Sequence, residues 1–269
     1  MPVDPETIAK FSGRTTFTIL PGGQNESVKA GDLVIKPVHE PKKYLWLSEC
    51  LNEVDFEDLQ VAIPVRSGAG NYIENAAGAT QYYEAKFFDG RMERKLDTCR
   101  ELNKKVFHIS KPEDFASWES PWTKGQDLAW SFGDAVNFKI PEELRVLMNM
   151  REQIEIPYQL VHVDLAGNIL FDIKGNPVVI DFTPGFYPKE YSESLLVIDS
   201  IAWYHGPIES LELLTIHGEF KTQLMLRSLI FRLSVPLFFD KCNAENYQRN
   251  LEGYKPIVKV ISGESAQKI

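Results

Sequence analysis

The stretch that decides how this chain is read is QLVHVDLAGNILFDIKGNPVVIDFTP, Gln159 to Pro184. An apolar run delivers His162 and Asp164 to a short polar loop ending at Asn168. A second run, Ile169–Phe171, leads into the turn Lys174-Gly175-Asn176. A third, Val178–Ile180, stops at Asp181. The alternation and the Gly-Asn turn predict a strand, a loop and a β-hairpin on one small sheet, with a carboxylate where the last strand ends. Two carboxylates and an amide carbonyl near one sheet end are hard oxygen donors. They suit a magnesium ion that a phosphorylated substrate carries in with it.

The remaining chain is consistent with such a site on a folded body of one large domain or two lobes. Its 269 residues are 43% hydrophobic and 25% charged, ordinary for a globular protein. No basic n-region with an apolar core opens the sequence. Leu224–Phe239 is apolar but broken by Arg227, Arg232 and Pro236, so no membrane association is expected. A net charge of −9 without a Lys/Arg cluster argues against nucleic acid. Cys50, Cys99 and Cys242 are scattered, which argues against a disulfide framework or zinc site and fits a reducing compartment such as the cytoplasm.

Residues 1–110 read mainly as strands with one helix. Thr15–Leu20 and Gln24–Lys29 flank Pro21-Gly22-Gly23, and a turn at Ala30–Asp32 leads to Leu33–Ile35, which ends in Lys36. Glycines there let backbone N–H groups approach phosphate, although hairpin turns also use them. An ammonium at the end of an apolar strand needs an anionic partner. Pro41 opens a helix carrying Trp46, Glu49 and Glu53; Trp46 packs inward, and Glu49 is the expected partner of Lys36, with Glu53 as fallback. Val61–Val65, Tyr72–Ile73 and Thr80–Ala85 add strands, Thr80–Phe88 reading as an edge strand entering a connector that Asp89-Gly90 ends.

Beyond the connector the pattern turns helical. Helices are expected over Met92–Ile109, from Pro141, and over Glu193–Tyr204, Ile208–His217, Glu219–Leu233 and Ala244–Val260, with 110–135 as a loop-bearing stretch holding short helical pieces and the segment after Asp181 as a loop. Asp199 lies on an apolar helix and needs donors, for which backbone N–H groups of a neighbouring loop would serve.

The order of these motifs resembles the aminoglycoside phosphotransferase and choline kinase branch of the protein-kinase-like fold. HVDLAGNILF and VVIDF resemble its Brenner-type loop and strand end. The nearest likeness is to a group best known from actinobacteria, with Gly22-Gly23-Gln24, Lys36-Pro37, Trp46–Glu49 and Ile180–Pro184 matching its motifs across roughly residues 11–240. The resemblance implies a two-lobed α+β fold, with a small β-rich N-lobe over 1–88 that binds nucleotide and a larger mainly helical lobe over 89–269. It implies ATP and Mg²⁺ as cofactors and a small-molecule hydroxyl as acceptor. Asp164 would be the catalytic base; Asn168 and Asp181 would hold metal. Lys36, anchored by Glu49, would contact the α- and β-phosphates, Gly22 and Gly23 would cover them, and Gln81, Tyr82, Tyr83, Glu84 and Ala85 would bind adenine. His162 and Asp199 would be structural.

Two departures qualify this. The family loop has four residues between Asp and Asn, and here Leu165-Ala166-Gly167 leaves three. Asn168 therefore needs a different path to the metal, and the alternative is a weak or inactive nucleotide-binding regulatory protein. No Lys or Arg follows Asp164 in the loop, and no Ala-Pro-Glu segment follows Asp181, which argues against protein substrates. Acceptor residues are expected within Trp118–Asp134 and Phe182–His205, whose aromatics suit a cation, a sugar ring or plain core packing.

Overall fold

The computed structural model describes residues 3–21, 26–132, 140–239 and 244–263. It has the two-lobed α+β architecture expected. In the first lobe, α1 (Pro5–Ser12) is capped by Asp4, whose carboxylate accepts the Thr7 N–H at 2.9 Å. Strands β1 (Thr18–Ile19), β2 (Val28–Ala30) and β3 (Leu33–Pro37) follow, β2 and β3 joined by a tight turn at Gly31, φ +62°. Helix α2 (Pro41–Asn52) comes next, then β4 (Gln60–Val61), β5 (Pro64–Val65), β6 (Ile73–Glu74), β7 (Ala77–Gln81) and β8 (Ala85–Lys86). The main sheet runs β1-β2-β3-β7-β5, with β6 also on β7. Its Val28, Ala30, Ile35, Ala77 and Ala79 bury one face against Ile8 and Phe11 of α1.

Helix α2 lies on the opposite face. Lys36 and Gly78 are paired across β3 and β7 and so share that face. Tyr44 of α2 covers Gly78 so closely that a Cβ there would come within 2.4 Å of its ring. The Tyr44 hydroxyl donates to the Ala79 carbonyl at 3.2 Å. Glycine is required at 78 for this approach.

The second lobe contains α3 (Met92–Val106), a short 3₁₀ turn at Phe115–Ser117, α4 (Pro121–Trp130), α5 (Glu142–Asn149), β9 (Gln159–His162), β10 (Ile169–Asp172), β11 (Pro177–Val179), β12 (Pro184–Tyr187), α6 (Lys189–Trp203), α7 (Gly218–Ser234) and α8 (Ala244–Ile261). Leu96 and Leu102 of α3, Leu195 and Ile198 of α6, Leu226 and Ile230 of α7, and Ile257 of α8 are all fully buried in its core. Among the described residues no helix is long and apolar enough to cross a membrane. Cys50 and Cys99 are free thiols.

The β10–β11 hairpin is as the sequence predicts. Gly175 has φ +82°, and the Asp172 carboxylate accepts the N–H groups of Lys174 and Asn176 at 2.9 and 2.8 Å. The small sheet around it is assembled differently. β9 does not join the hairpin; it pairs antiparallel with β12, from the segment read as a loop. Pro184 and Gly185 are poor strand formers, but Gly185 lies against Val163 and Tyr187, where a Cβ would meet them at 2.6 and 2.8 Å. The hairpin instead recruits β8 from the connector and β4, which pairs parallel with β11. Val61–Val65 is thus two strands in two sheets, and Thr80–Phe88 is divided between β7 and β8. The helix expected over Ile208–His217 is a 3₁₀ segment of Ile208–Leu213, ending where Leu214 turns extended.

Candidate active site

The loop after β9 is built by short polar bonds. His162 is fully buried; its Nδ1 accepts the Asp164 N–H at 3.0 Å, which leaves the proton on Nε2 for the Ile180 carbonyl at 3.3 Å. Burial pushes its pKa below the usual value, outweighing the pull of Asp164. This ring staples the Asp164 loop to the strand that carries Asp181.

The shortened loop closes as a turn, with the Asn168 N–H on the Leu165 carbonyl at 2.9 Å. The Asn168 side chain donates to the Asp164 carbonyl at 2.7 Å and approaches its Oδ2 at 3.4 Å. The Ile180 N–H meets the Asn168 carbonyl at 2.9 Å, so Asn168 sits one residue from Asp181 across the hairpin. With three residues between them, Asp164 and Asn168 stay in direct contact. Space at Gly167 is limiting, since a Cβ would meet the Tyr204 hydroxyl at 2.4 Å.

Asp181 has φ +52°, a left-handed conformation uncommon for a non-glycine residue, so β11 ends by turning its carboxylate toward the first lobe. Lys36 donates to its Oδ1. The Asp181 side chain is exposed; neighbouring protein atoms work against the ionised carboxyl, but Lys36 overcomes them and holds the pKa below the usual carboxylate range.

Glu49 is not the partner of Lys36. The face of α2 turned inward is Tyr44, Leu47, Ser48 and Leu51, and Glu49 and Glu53 are exposed. Trp46 does pack inward, against Trp118 and Phe186 with ring centroids at 5.5 and 6.1 Å. The acid on the cleft side is Glu40, which accepts from Lys43 at 3.0 Å. Both line a cavity of about 280 Å³ together with Trp122, Asp164, Asp181 and Phe182.

In the connector, the N–H groups of Gln81 and Tyr82 bond to the carbonyls of Ile63 and Asp32 at 3.2 and 2.8 Å. The hydroxyl of Tyr83 donates to Gln81 at 2.8 Å, that of Tyr82 to Glu84 at 3.0 Å. Ala85 belongs to β8. Gly22 and Gly23 lie outside the described residues.

Arg232, on α7, is the site residue that sequence reading missed. Its Nη2 donates to Asp164 Oδ1 at 2.7 Å and its Nε to both oxygens of Asp199 at 3.1 and 2.9 Å. Tyr254 of α8 completes Asp199 with a 2.6 Å hydroxyl donation and itself accepts from Trp203 Nε1 at 2.9 Å. Side-chain donors, not loop backbone N–H groups, thus satisfy the buried Asp199. In sequence Arg232 is only a charge interrupting an apolar run; its spacing carries no signal that it meets two acids far away.

No family model matches the sequence, nor does any curated protein. Solved structures do match. A spectinomycin phosphotransferase bound to AMP superposes with a TM-score of 0.63 at 14% identity, covering 98% of each chain. The choline kinase of Streptococcus pneumoniae gives 0.57 at 12%, over 90% of this chain and 93% of that one. The chain shares their fold. An amicoumacin kinase complexed with AMP-PNP and Ca²⁺ is similar too, at 0.56 and 12%, over 91% and 88%. Within this fold shared with small-molecule kinases, the Asp164 loop and Asp181 occupy the cleft that the two lobes form.

Proposed function

We propose that the protein is an ATP- and magnesium-dependent phosphotransferase acting on the hydroxyl of a small molecule, with 1–88 as nucleotide lobe and 89–269 as catalytic lobe. The observation that carries this is that Asp164 and Asp181 line one cavity, with Lys36 bonded to Asp181 and Asn168 to Asp164. Phosphoryl transfer asks a protein mainly for positioning and charge neutralisation, and these four groups are the kinds required.

Asp164 is the candidate base. It is partly exposed and has one oxygen, Oδ2, free of any cation among the described residues. It orients the acceptor hydroxyl and takes its proton as the phosphoryl group leaves. His162 is unsuited to that task, because it is buried and both ring nitrogens are engaged. Lys36 meets phosphate oxygens; its attachment to Asp181 supports this role, and the exposed Glu49 does not anchor it. In the connector, the N–H groups of Tyr83 and Glu84 are without hydrogen bonds among the described residues, which suits them to an adenine edge.

The donor set fits magnesium. The amide of Asn168 spends its N–H₂ on Asp164, leaving its carbonyl oxygen for a metal beside the Asp181 carboxylate. No cluster of three or more His, Cys, Asp or Glu suited to a metal is found among the described residues, in keeping with an ion bound chiefly through substrate phosphates. Magnesium, when bound, neutralises charge on the transferring phosphoryl group. The shortened loop motivates a rival reading as an idle nucleotide binder, but Asn168 is still held against Asp164, which favours catalysis.

Thermal unfolding with MgATP tests the nucleotide site on which this function depends. A ligand at one hundred times its Kd stabilises by about 2.7 kcal/mol, so a clear rise in Tm is expected. No shift at millimolar MgATP overturns the proposal.

A further inference from the structure

A second cavity, of about 210 Å³, opens on the far side of Asp164 between α6, α7 and α8. Its wall includes Asp164, Asp199, Arg232, Trp203, Tyr204 and Tyr254. Two acids and three aromatic rings beside the reacting carboxylate look at first like a receptor for an ammonium group. Cations are held by carboxylates with free lone pairs or by open aromatic faces. Here both devices are largely used inside the protein.

Asp199 is fully engaged by Arg232 and by the Tyr254 hydroxyl. Asp164 has one oxygen on Arg232 and only Oδ2 left. Trp203 and Tyr254 meet edge to face at 5.7 Å and 89°, and Tyr204 lies against Phe87 at 4.7 Å. Burial acts against the guanidinium, yet Asp199 and Asp164 outweigh it and hold the Arg232 pKa above its ordinary value, so the cation persists. Arg232 lines the cavity, and among the described residues its Nη1 makes no hydrogen bond. An ammonium entering would find one carboxylate oxygen free of cations, Asp164 Oδ2, with the guanidinium beside it offsetting part of its pull.

We infer that this cavity receives an uncharged hydroxyl compound, such as a sugar or polyol, and that Arg232 determines the specificity. The acceptor hydroxyl donates to Asp164 Oδ2, and a neighbouring hydroxyl accepts from Arg232 Nη1. Arg232 is also a positioning residue: it ties Asp164 Oδ1 to α6 through Asp199, fixing which carboxylate oxygen the acceptor meets. The inference rests on the phosphotransferase reading and sharpens it.

The test measures MgATP-dependent ADP release by the full chain with two panels at equal concentration, one of sugars and polyols and one of amino alcohols including choline and ethanolamine. Wild type, Arg232→Lys and Arg232→Gln are compared, each with its MgATP thermal shift. Wild type is expected to turn over an uncharged compound in preference to every amino alcohol. Arg232→Lys should keep that preference, with kcat lowered more than KM is raised. Arg232→Gln, which frees two carboxylates, should move the kcat/KM ratio toward amino alcohols by at least tenfold. Turnover of neither panel while MgATP still shifts Tm overturns the phosphotransferase reading and this inference with it. Preference of wild type for amino alcohols, or turnover of amino alcohols only, overturns this inference alone. An unchanged ratio in Arg232→Gln also overturns it. If that variant does not fold, a switch to amino alcohols in Arg232→Lys does the same. Absence of any MgATP shift in wild type removes this inference and the function beneath it.

Discussion

Replacing Asp199 by Asn tests the frame that holds the Asp164 loop. Asp199 is 4% exposed and carries the Arg232 guanidinium and the Tyr254 hydroxyl on its two oxygens. Asparagine keeps the shape but removes the charge and turns an N–H₂ group toward one of these donors. Breaking a buried ion pair by removing one partner costs roughly 3–5 kcal/mol, because the other charge stays behind uncompensated. Asp164, with its side chain 43% exposed, remains on Arg232 and offsets part of the loss. The lower end, about 3 kcal/mol, is therefore expected, and at about 2–4 °C per kcal/mol for a chain of this size Tm falls by roughly 6–12 °C. Urea unfolding and scanning calorimetry measure both. Asp97→Asn is the control, an exposed carboxylate 3.6 Å from Arg100, and should change stability by less than about 1 kcal/mol. An Asp199→Asn protein within 1 kcal/mol of wild type would refute the claim that this ion pair is a buried structural tie.

Other consequences follow from the same contacts. Gly78→Ala drives a methyl into the Tyr44 ring and should cost about 1–3 kcal/mol; adding Tyr44→Ala should recover part of it, and additivity of the two would count against the contact. His162 has a depressed pKa in the folded state, so the unfolded chain takes up its proton first. Stability should be flat above about pH 6.5 and decline below it by up to about 1.4 kcal/mol per pH unit from this group, a decline that His162→Gln should reduce. Lys36→Met should weaken MgATP affinity at least tenfold by calorimetric titration, whereas Glu49→Gln, an exposed position, should leave it within twofold.

How much of this was legible in the sequence differs by element. The hairpin was readable because its turn chemistry is local: Asp172, Gly175 and Asn176 determine it within five residues. So were Lys36 at a strand end and the long helices. The partner of β9 was not, since β12 owes its strand to close packing of Gly185 on Val163 rather than to its own propensity. β4 and β5 are two residues each, too short for a period to show that they belong to different sheets. Glu49 failed as a partner because spacing from Trp46 gives the helix turn but not which face meets the sheet, which Tyr44 and Gly78 decide. Arg232 was invisible for a related reason: only the packing of α7 against α6 brings it to Asp199 and Asp164, residues 33 and 68 positions away.

The central claim is that Asp164 promotes transfer of the γ-phosphoryl group of ATP to a small-molecule hydroxyl. ³¹P NMR of MgATP incubated with the protein and pooled hydroxyl metabolites, uncharged compounds and amino alcohols together, tests it most directly. A new phosphomonoester signal should grow with wild type, and with Asp164→Asn it should fall by at least a hundredfold in initial rate. Equal growth with both proteins, or ATP left unchanged by wild type, would contradict the account.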